Sequence, residues 1–251
     1  MSKPQVAIFD LAGCEGCQLQ IVNLEDSLLQ LLSLVDVVEW REAISNHGPE
    51  IDIALVEGCL EREEDVARLL HIREKSKILV ALGSCAISGG VHQMRNALSS
   101  LEARQITYGN NGFLKHLDVH EKVQSLDQIV KVDYSIPGCP IHRQELSYVL
   151  RCLALGRIPF IPTYPVCVEC RIQENLCLWQ QGQLCLGPLT RAGCHATCPS
   201  HGTPCIGCRG YSSDANPQGL RQSLNRYHKT PEEFEHHLNL FLGSSLEHAH
   251  A

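Results

Sequence analysis

Short, nearly continuous apolar runs alternate with amphipathic ones through the first part of the chain. "QVAIFDL" (5–11), "VDVVEW" (35–40), "IDIALVEG" (51–58) and "KILVALGSC" (77–85) are rich in β-branched residues. Such runs suit strands covered on both faces, so the second and third are expected to be central strands of a parallel sheet. Between them, apolar residues recur at helical spacing. "CQLQIVNLEDSLLQLLS" (17–33) reads as one helix, and "EREEDVARLLHIREKS" (61–76) as another, with acids in its first turn and bases in its last as the helix dipole favours. After a less regular stretch around "SGGVHQ" and "YGNNGF", "KVDYSIPGCP" (131–140) gives a further strand and "HRQELSYVLRCLALG" (142–156) a helix.

This order predicts an open, mostly parallel α/β sheet with right-handed crossovers, its functional loops at the carboxyl ends of the strands. Cys14, Cys17, Cys85 and Cys139 all fall at those ends. Beyond a Pro-rich linker, "IPFIPTYP" (158–165), the periodicity gives way to Cys, Gly and Pro through residue 210. That segment is expected to lack the apolar content to fold by itself and to draw its stability from bound metal. The closing "LRQSLNRYHKTPEEFEHHLNLFL" (220–242) reads as amphipathic helix packed on the Cys-rich segment or on a partner. The His-rich "EHHLNLFLGSSLEHAHA" (235–251) reads as a frayed polar tail rather than a metal site.

Composition narrows the chemistry. A chain of 251 residues carries at most two domains, and a net charge of -7 without a basic stripe argues against nucleic acid as partner. No apolar run reaches the roughly 20 residues of a membrane span. "MSKPQVAIFDLAGC" shows no charged region followed by an apolar one and a cleavage site, so a cytoplasmic location is expected. In a reducing compartment, 14 cysteines point to metal binding or catalysis rather than to disulfides.

Four of those thiols come from three separate loops, the "GCEGCQ" of Cys14 and Cys17, the "GSCA" of Cys85 and the "PGCP" of Cys139. Four is the number a 4Fe-4S cluster takes. Zinc also accepts four thiolates, although its ligands usually come from compact knuckles, and buried free cysteines are common in cores. The Cys-rich segment divides by spacing into Cys167, Cys170, Cys177 and Cys185, then Cys194, Cys198, Cys205 and Cys208. Gly and Pro flank these ligands in "CLGPLTRAGC" and "HGTPCIGC", as expected where backbone N–H groups approach cluster sulfurs.

Together "CEGCQLQIVNLEDSLLQLL", "VEGC", "ALGSCA", "PGCP" and the eight-cysteine run resemble the small, electron-transfer subunit of nickel-iron hydrogenases, of the cytoplasmic, bidirectional NAD(P)-linked or sulfhydrogenase type. The resemblance covers most of residues 5 to 210. It implies a flavodoxin-like domain over 1–157 carrying a proximal 4Fe-4S cluster on Cys14, Cys17, Cys85 and Cys139. It further implies an iron-sulfur domain over 158–251, with a distal cluster on Cys167, Cys170, Cys177 and Cys185 and a medial one on Cys194, Cys198, Cys205 and Cys208. Periplasmic uptake enzymes open the distal set with His and hold a 3Fe-4S cluster medially. Cys167 and Cys198 stand at those positions here, so three all-thiolate 4Fe-4S clusters are expected, at lower potential and suited to the NAD(P)H couple.

The same resemblance implies a nickel-iron large subunit as partner and an FAD-bearing, iron-sulfur diaphorase-type subunit beyond. No GxGxxG follows the first strand and the paired nickel-binding CxxC motifs of the large subunit are missing, so nickel-iron, FAD and NAD(P) would belong to partners. Glu15 stands where the family faces a proton route, either a relay or an interface carboxylate. Glu57 lies near the proximal set, as a titrating group or an orienting acceptor. Cys59 follows a strand end and is not counted as a ligand, and Cys152 reads as a core residue. Gly16 and Gly90 occupy the positions of the extra cysteines of oxygen-tolerant members. Two rival readings remain: a cluster-bearing subunit of a quinone-linked, complex I-like assembly, and a zinc-stabilised scaffold.

Overall fold

The computed structural model describes residues 3–109, except 46, 47 and 49, and residues 119–243; part of the "YGNNGF" stretch and residues 244–251 of the His-rich tail lie outside these described residues, while residues 235–241, expected to be frayed, are helical because Leu238 and Phe241 are buried. Five strands, β1 (Gln5–Asp10), β2 (Asp36–Trp40), β3 (Ile51–Glu57), β4 (Ser76–Leu82) and β5 (Tyr134–Ile136), form one sheet in the order β2-β1-β3-β4-β5. Every pairing is parallel. This is the flavodoxin-like order, with the chain reversing direction across the sheet between β1 and β3.

Period-two alternation sends each strand's side chains to two different cores. Val6, Ile8, Ile53, Leu55, Val80 and Leu82 face one side, under α1 (Gly16–Val22), α2 (Asp26–Leu32) and α6 (Arg143–Ala154). Ala7, Phe9, Ala54, Val56, Leu79 and Ala81 face the other, under α3 (Glu63–Lys75) and α4 (Gly83–Ser88). Coverage on both faces is why these strands read as unbroken apolar runs. The 3₁₀ helix Gly90–Ala97 and α5 (Ser100–Tyr108) follow α4.

Two local expectations change. The single helix over 17–33 is two helices: the Asn23 N–H closes α1 on Leu19 O, and Glu25 takes a left-handed φ of 52°, which stops the helical hydrogen-bond ladder. The run 35–40 is an edge strand, not a central one. Its alternating Asp36 and Glu39 leave one side half-exposed, whereas β3, the true centre, is buried along almost all its length.

The Cys-rich segment has its own apolar core. Val166, Leu178, Trp179, Leu184, Leu186 and Leu189 pack with Leu224, Phe234, Leu238 and Leu242. Helix α7 (Val166–Ile172) and the short α8 (Thr197–Ser200) lie in this segment, and α9 (Pro217–Gln222) and α10 (Pro231–Phe241) follow it. Thr230 and Glu233 form a capping box that starts α10, and Phe234 is 0% exposed beneath it. The segment is poor in apolar residues by itself, and α10 supplies what it lacks. Among the described residues no helix is long and apolar enough to cross a membrane.

Phe234→Ala is expected to cost about 3–5 kcal/mol, the usual cost of emptying an aromatic core site. The check is the midpoint of chemical unfolding under anaerobic conditions, and a surface-like change of a few tenths would refute this role for α10.

Candidate metal centres

The loop after β1 is held by backbone pairing before any side chain acts. Leu11 N–H donates to Glu57 O at 2.8 Å, and Ala12 and Cys59 form an isolated bridge. Glu15 then takes a left-handed φ of 61°, which turns Cys14 and Cys17 to the same side and opens α1. Glu57, at the end of β3 and 3% exposed, accepts the N–H groups of Cys17 and Gln18 at 3.0 Å each. Of the two roles open to Glu57, the geometry is that of the orienting acceptor.

Cys85 arrives from α4 and Cys139 from the loop after β5, so four thiols from three loops converge at the carboxyl end of the sheet. Cys139 is pushed up to about 11 by burial and then by the charges of Cys85 and Cys14. Cys17 is pushed up by burial, then by Glu57, with Cys85 adding to it. Gly83, at φ +79°, lies directly beneath the Cys17 sulfur, where any Cβ would collide with it. Gly16 and Gly90 also adjoin this set: a Cβ on either would stand 3.3 Å from Cys14 Sγ or 2.8 Å from Cys85 Sγ.

The second quartet forms around α7, where Cys167 and Cys170 are one turn apart. Burial, then the charges of Cys185, Cys170 and Cys177, push Cys167 up to about 12. Gly187 packs between two of these sulfurs, its notional Cβ 3.4 Å from Cys167 Sγ and 3.5 Å from Cys185 Sγ. In the third quartet, His195 and Ala196 take consecutive left-handed conformations (φ 54° and 48°), and the N–H groups of Ala196 and Thr197 point at Cys194 Sγ. Glu169 holds that turn by accepting from Gly193 N–H at 2.8 Å and Ala196 N–H at 3.1 Å. Cys208 is pushed up to about 11 by burial, with Cys194 and Cys198 adding to it.

The three sets lie end to end. The Cys139 backbone lies against Cys208 Sγ, and the Cys205 N–H donates to Cys185 Sγ at 3.3 Å. Ser84, next to Cys85, hydrogen-bonds the Cys208 carbonyl. None of the 14 cysteines forms a disulfide. Buried thiols whose charged forms repel one another are stable as ligands only around a cationic group, and glycines at the sulfurs leave the space such a group needs. All-sulfur donor sets of four fit 4Fe-4S clusters, which these twelve cysteines would hold.

Other residues fall outside the sets. Cys59 is fully buried and its thiol donates to Ala12 O at 3.3 Å, while Cys152 is half-buried on α6. Glu15 is pushed up to about 7 by burial and by Glu57, Asp10 and Glu42, and accepts from the Gln18 amide, whose oxygen takes a hydrogen bond from Trp40 Nε1 at 2.6 Å. Sequence reasoning missed Arg209 and Glu145 altogether. Arg209, 2% exposed, forks onto Glu145 at 2.9 and 2.8 Å, donates to Pro137 O at 2.6 Å and reaches Ala192 O at 2.8 Å. The only signal was an Arg directly after Cys208.

A family described as NADH ubiquinone oxidoreductase, 20 Kd subunit, matches residues 14–153, a span that includes Cys14, Cys17, Cys85 and Cys139. The chain belongs to this family. The chain is similar to subunit delta of sulfhydrogenase 2 of Pyrococcus furiosus, 39% identical over 223 residues, covering 88% of this chain and 92% of the relative. The delta subunit of the NAD-reducing hydrogenase of Cupriavidus necator is 34% identical over 171 residues, covering 63% of this chain and 81% of the relative. A chain in the structure of an NAD+-reducing [NiFe]-hydrogenase in the H2-reduced state is 31% identical, with a TM-score of 0.58 over 64% of this chain and 96% of that one. This member of the 20 Kd subunit family is a hydrogenase subunit, as the notable extent of the sulfhydrogenase match requires.

Glu145→Leu would strand the Arg209 guanidinium in the interior and is expected to cost about 3–5 kcal/mol of stability. Denaturant titration of this variant beside Arg209→Met with Glu145→Leu checks it: the paired replacement should recover most of the loss, and an equal loss in both would refute a charge-pair origin.

Proposed function

We propose that the chain is the electron-relay subunit of a nickel-iron hydrogenase, holding three 4Fe-4S clusters in series. The proximal site is Cys14, Cys17, Cys85 and Cys139; the medial one is Cys194, Cys198, Cys205 and Cys208; the distal one is Cys167, Cys170, Cys177 and Cys185. The observation that carries the reading is the end-to-end contact of the three thiol sets, the Cys139 backbone to Cys208 Sγ and Cys205 N–H to Cys185 Sγ. Each 4Fe-4S group, when bound, supplies a one-electron carrier. The chain's own residues hold these groups close, keep water from the buried sulfurs and direct backbone N–H groups at Cys185, Cys194 and Cys208.

On this reading the large subunit meets the sheet's carboxyl end, near Cys14 and Glu15, and Glu15 relays protons there. A diaphorase-type subunit with FAD and iron-sulfur groups meets the chain near the exposed Cys177 and passes electrons reversibly to NAD(P) or another acceptor in the cytoplasm. The difference in match length bears on that acceptor. The NAD-reducing relative covers 63% of this chain and the sulfhydrogenase relative 88%, which favours a sulfhydrogenase-like arrangement at the distal end. A quinone-linked module of the complex I type is the second reading, favoured by the family match over 14–153 and disfavoured by eight further cysteines beyond it.

Anaerobically purified protein should be brown and hold about 12 iron atoms per chain, three groups of four. Roughly four iron atoms, or stoichiometric zinc in their place, would sink the three-cluster relay. A larger nickel-containing subunit should co-purify, and its absence would favour the quinone-linked reading.

A further inference from the structure

One polar chain reaches the first thiol set from outside it. Helix α4 ends on two glycines in left-handed conformation, Gly89 (φ 81°) and Gly90 (φ 53°), and the backbone doubles back over Cys85 as the 3₁₀ helix Gly90–Ala97. A Cβ on Gly90 would stand 2.8 Å from Cys85 Sγ and 3.0 Å from its backbone nitrogen, so the reversal closes only without a side chain there. The fold-back lays the imidazole of His92 beside the Cys85 side chain. On its other side, Nδ1 lies 2.8 Å from Glu61 Oε1.

Glu61 is itself fixed. Its N–H donates to Asp65 at 3.1 Å, within the cap of α3, and its carbonyl accepts the His120 N–H at 2.6 Å. The carboxylate therefore sits on the rim of the sheet's carboxyl end and aims the ring inward. A carboxylate and a ligating thiolate are both acceptors, so an imidazole between them donates from both nitrogens.

We propose that His92, oriented by Glu61, is a positioning residue for the proximal group: its ring donates to Cys85 Sγ, fixes the direction of that sulfur and withdraws negative charge from it. This rests on the reading of Cys85 as a ligand. A donor at a ligating sulfur stabilises the more negative, reduced state and so raises the reduction potential of that site alone. The neighbouring Cys59 gives the competing explanation, because its sulfur, Glu61 and His92 offer ligand atoms all within 4.8 Å of one another, as a mononuclear metal site would require.

The test uses the intact, anaerobically purified complex and a redox titration followed by electron paramagnetic resonance at one pH. The proximal signal is the one altered by Cys85→Ser. His92→Leu should lower the midpoint potential of that signal and leave the others unmoved, with iron content unchanged. His92→Gln, which keeps a neutral donor, should fall between. If His92→Leu fails to retain its iron, the lower midpoint in His92→Gln carries the same test. An unmoved proximal midpoint in an iron-replete variant overturns the inference alone. Stoichiometric zinc in the wild type, lost in both His92→Leu and Cys59→Ser, overturns it in favour of the metal site. A wild type with no signal that depends on Cys85 overturns both this inference and the reading it rests on, before any His92 variant is made.

Discussion

The buried pair of Arg209 and Glu145 is the joint on which the relation between the sheet and the Cys-rich segment depends. Five residues of very different sequence position meet there: Glu145 on α6, Pro137 two residues before Cys139, Ala192 and Arg191 just before Cys194, and Arg209 next to Cys208. A guanidinium presents a rigid planar fork, so satisfying all its donors fixes angles as well as distances. Gly193 is required beside it, since a Cβ there would run into both Arg209 and Glu145. The pair lies between the first and third thiol sets and holds Cys139 against Cys208.

The second constraint is charge. Burial raises the thiols of Cys17, Cys139, Cys167, Cys205 and Cys208, and neighbouring sulfurs raise several of them further. Only a cation or backbone donors reverse that, and the chain supplies donors at Cys185, Cys194 and Cys208 from nearby N–H groups. The left-handed residues His195 and Ala196 serve this end at Cys194, since they turn the backbone where a regular element would point its N–H groups elsewhere. The same logic extends to His92, whose ring is lodged between a carboxylate and a cysteine.

The matched core, residues 14–153, carries one thiol set on a flavodoxin-like sheet, and the NAD-reducing relative covers little more than that share of this chain. Residues 154–251 hold eight further cysteines together with α10, which closes their core with Phe234, Leu238 and Leu242. Added thiols and added apolar helix belong together, because a segment of Cys, Gly and Pro cannot bury enough apolar surface without one.

The sequence by itself determined the parallel sheet, the placement of Cys14, Cys17, Cys85 and Cys139 at the carboxyl ends of its strands and the close spacing of eight cysteines beyond it. Those features are local: period-two runs, helical spacing and CxxC intervals repeat within a few residues and do not depend on distant partners. Tertiary structure alone decided the rest. The break at Glu25 is a single φ that apolar periodicity does not register, and β2 became an edge because strand order follows crossovers rather than composition. Glu145 and Arg209 stand 64 residues apart, and Glu61 and His92 stand 31 apart. In sequence each is an ordinary charged or polar side chain, and its role exists only because the fold removes water from around it and leaves one partner within reach.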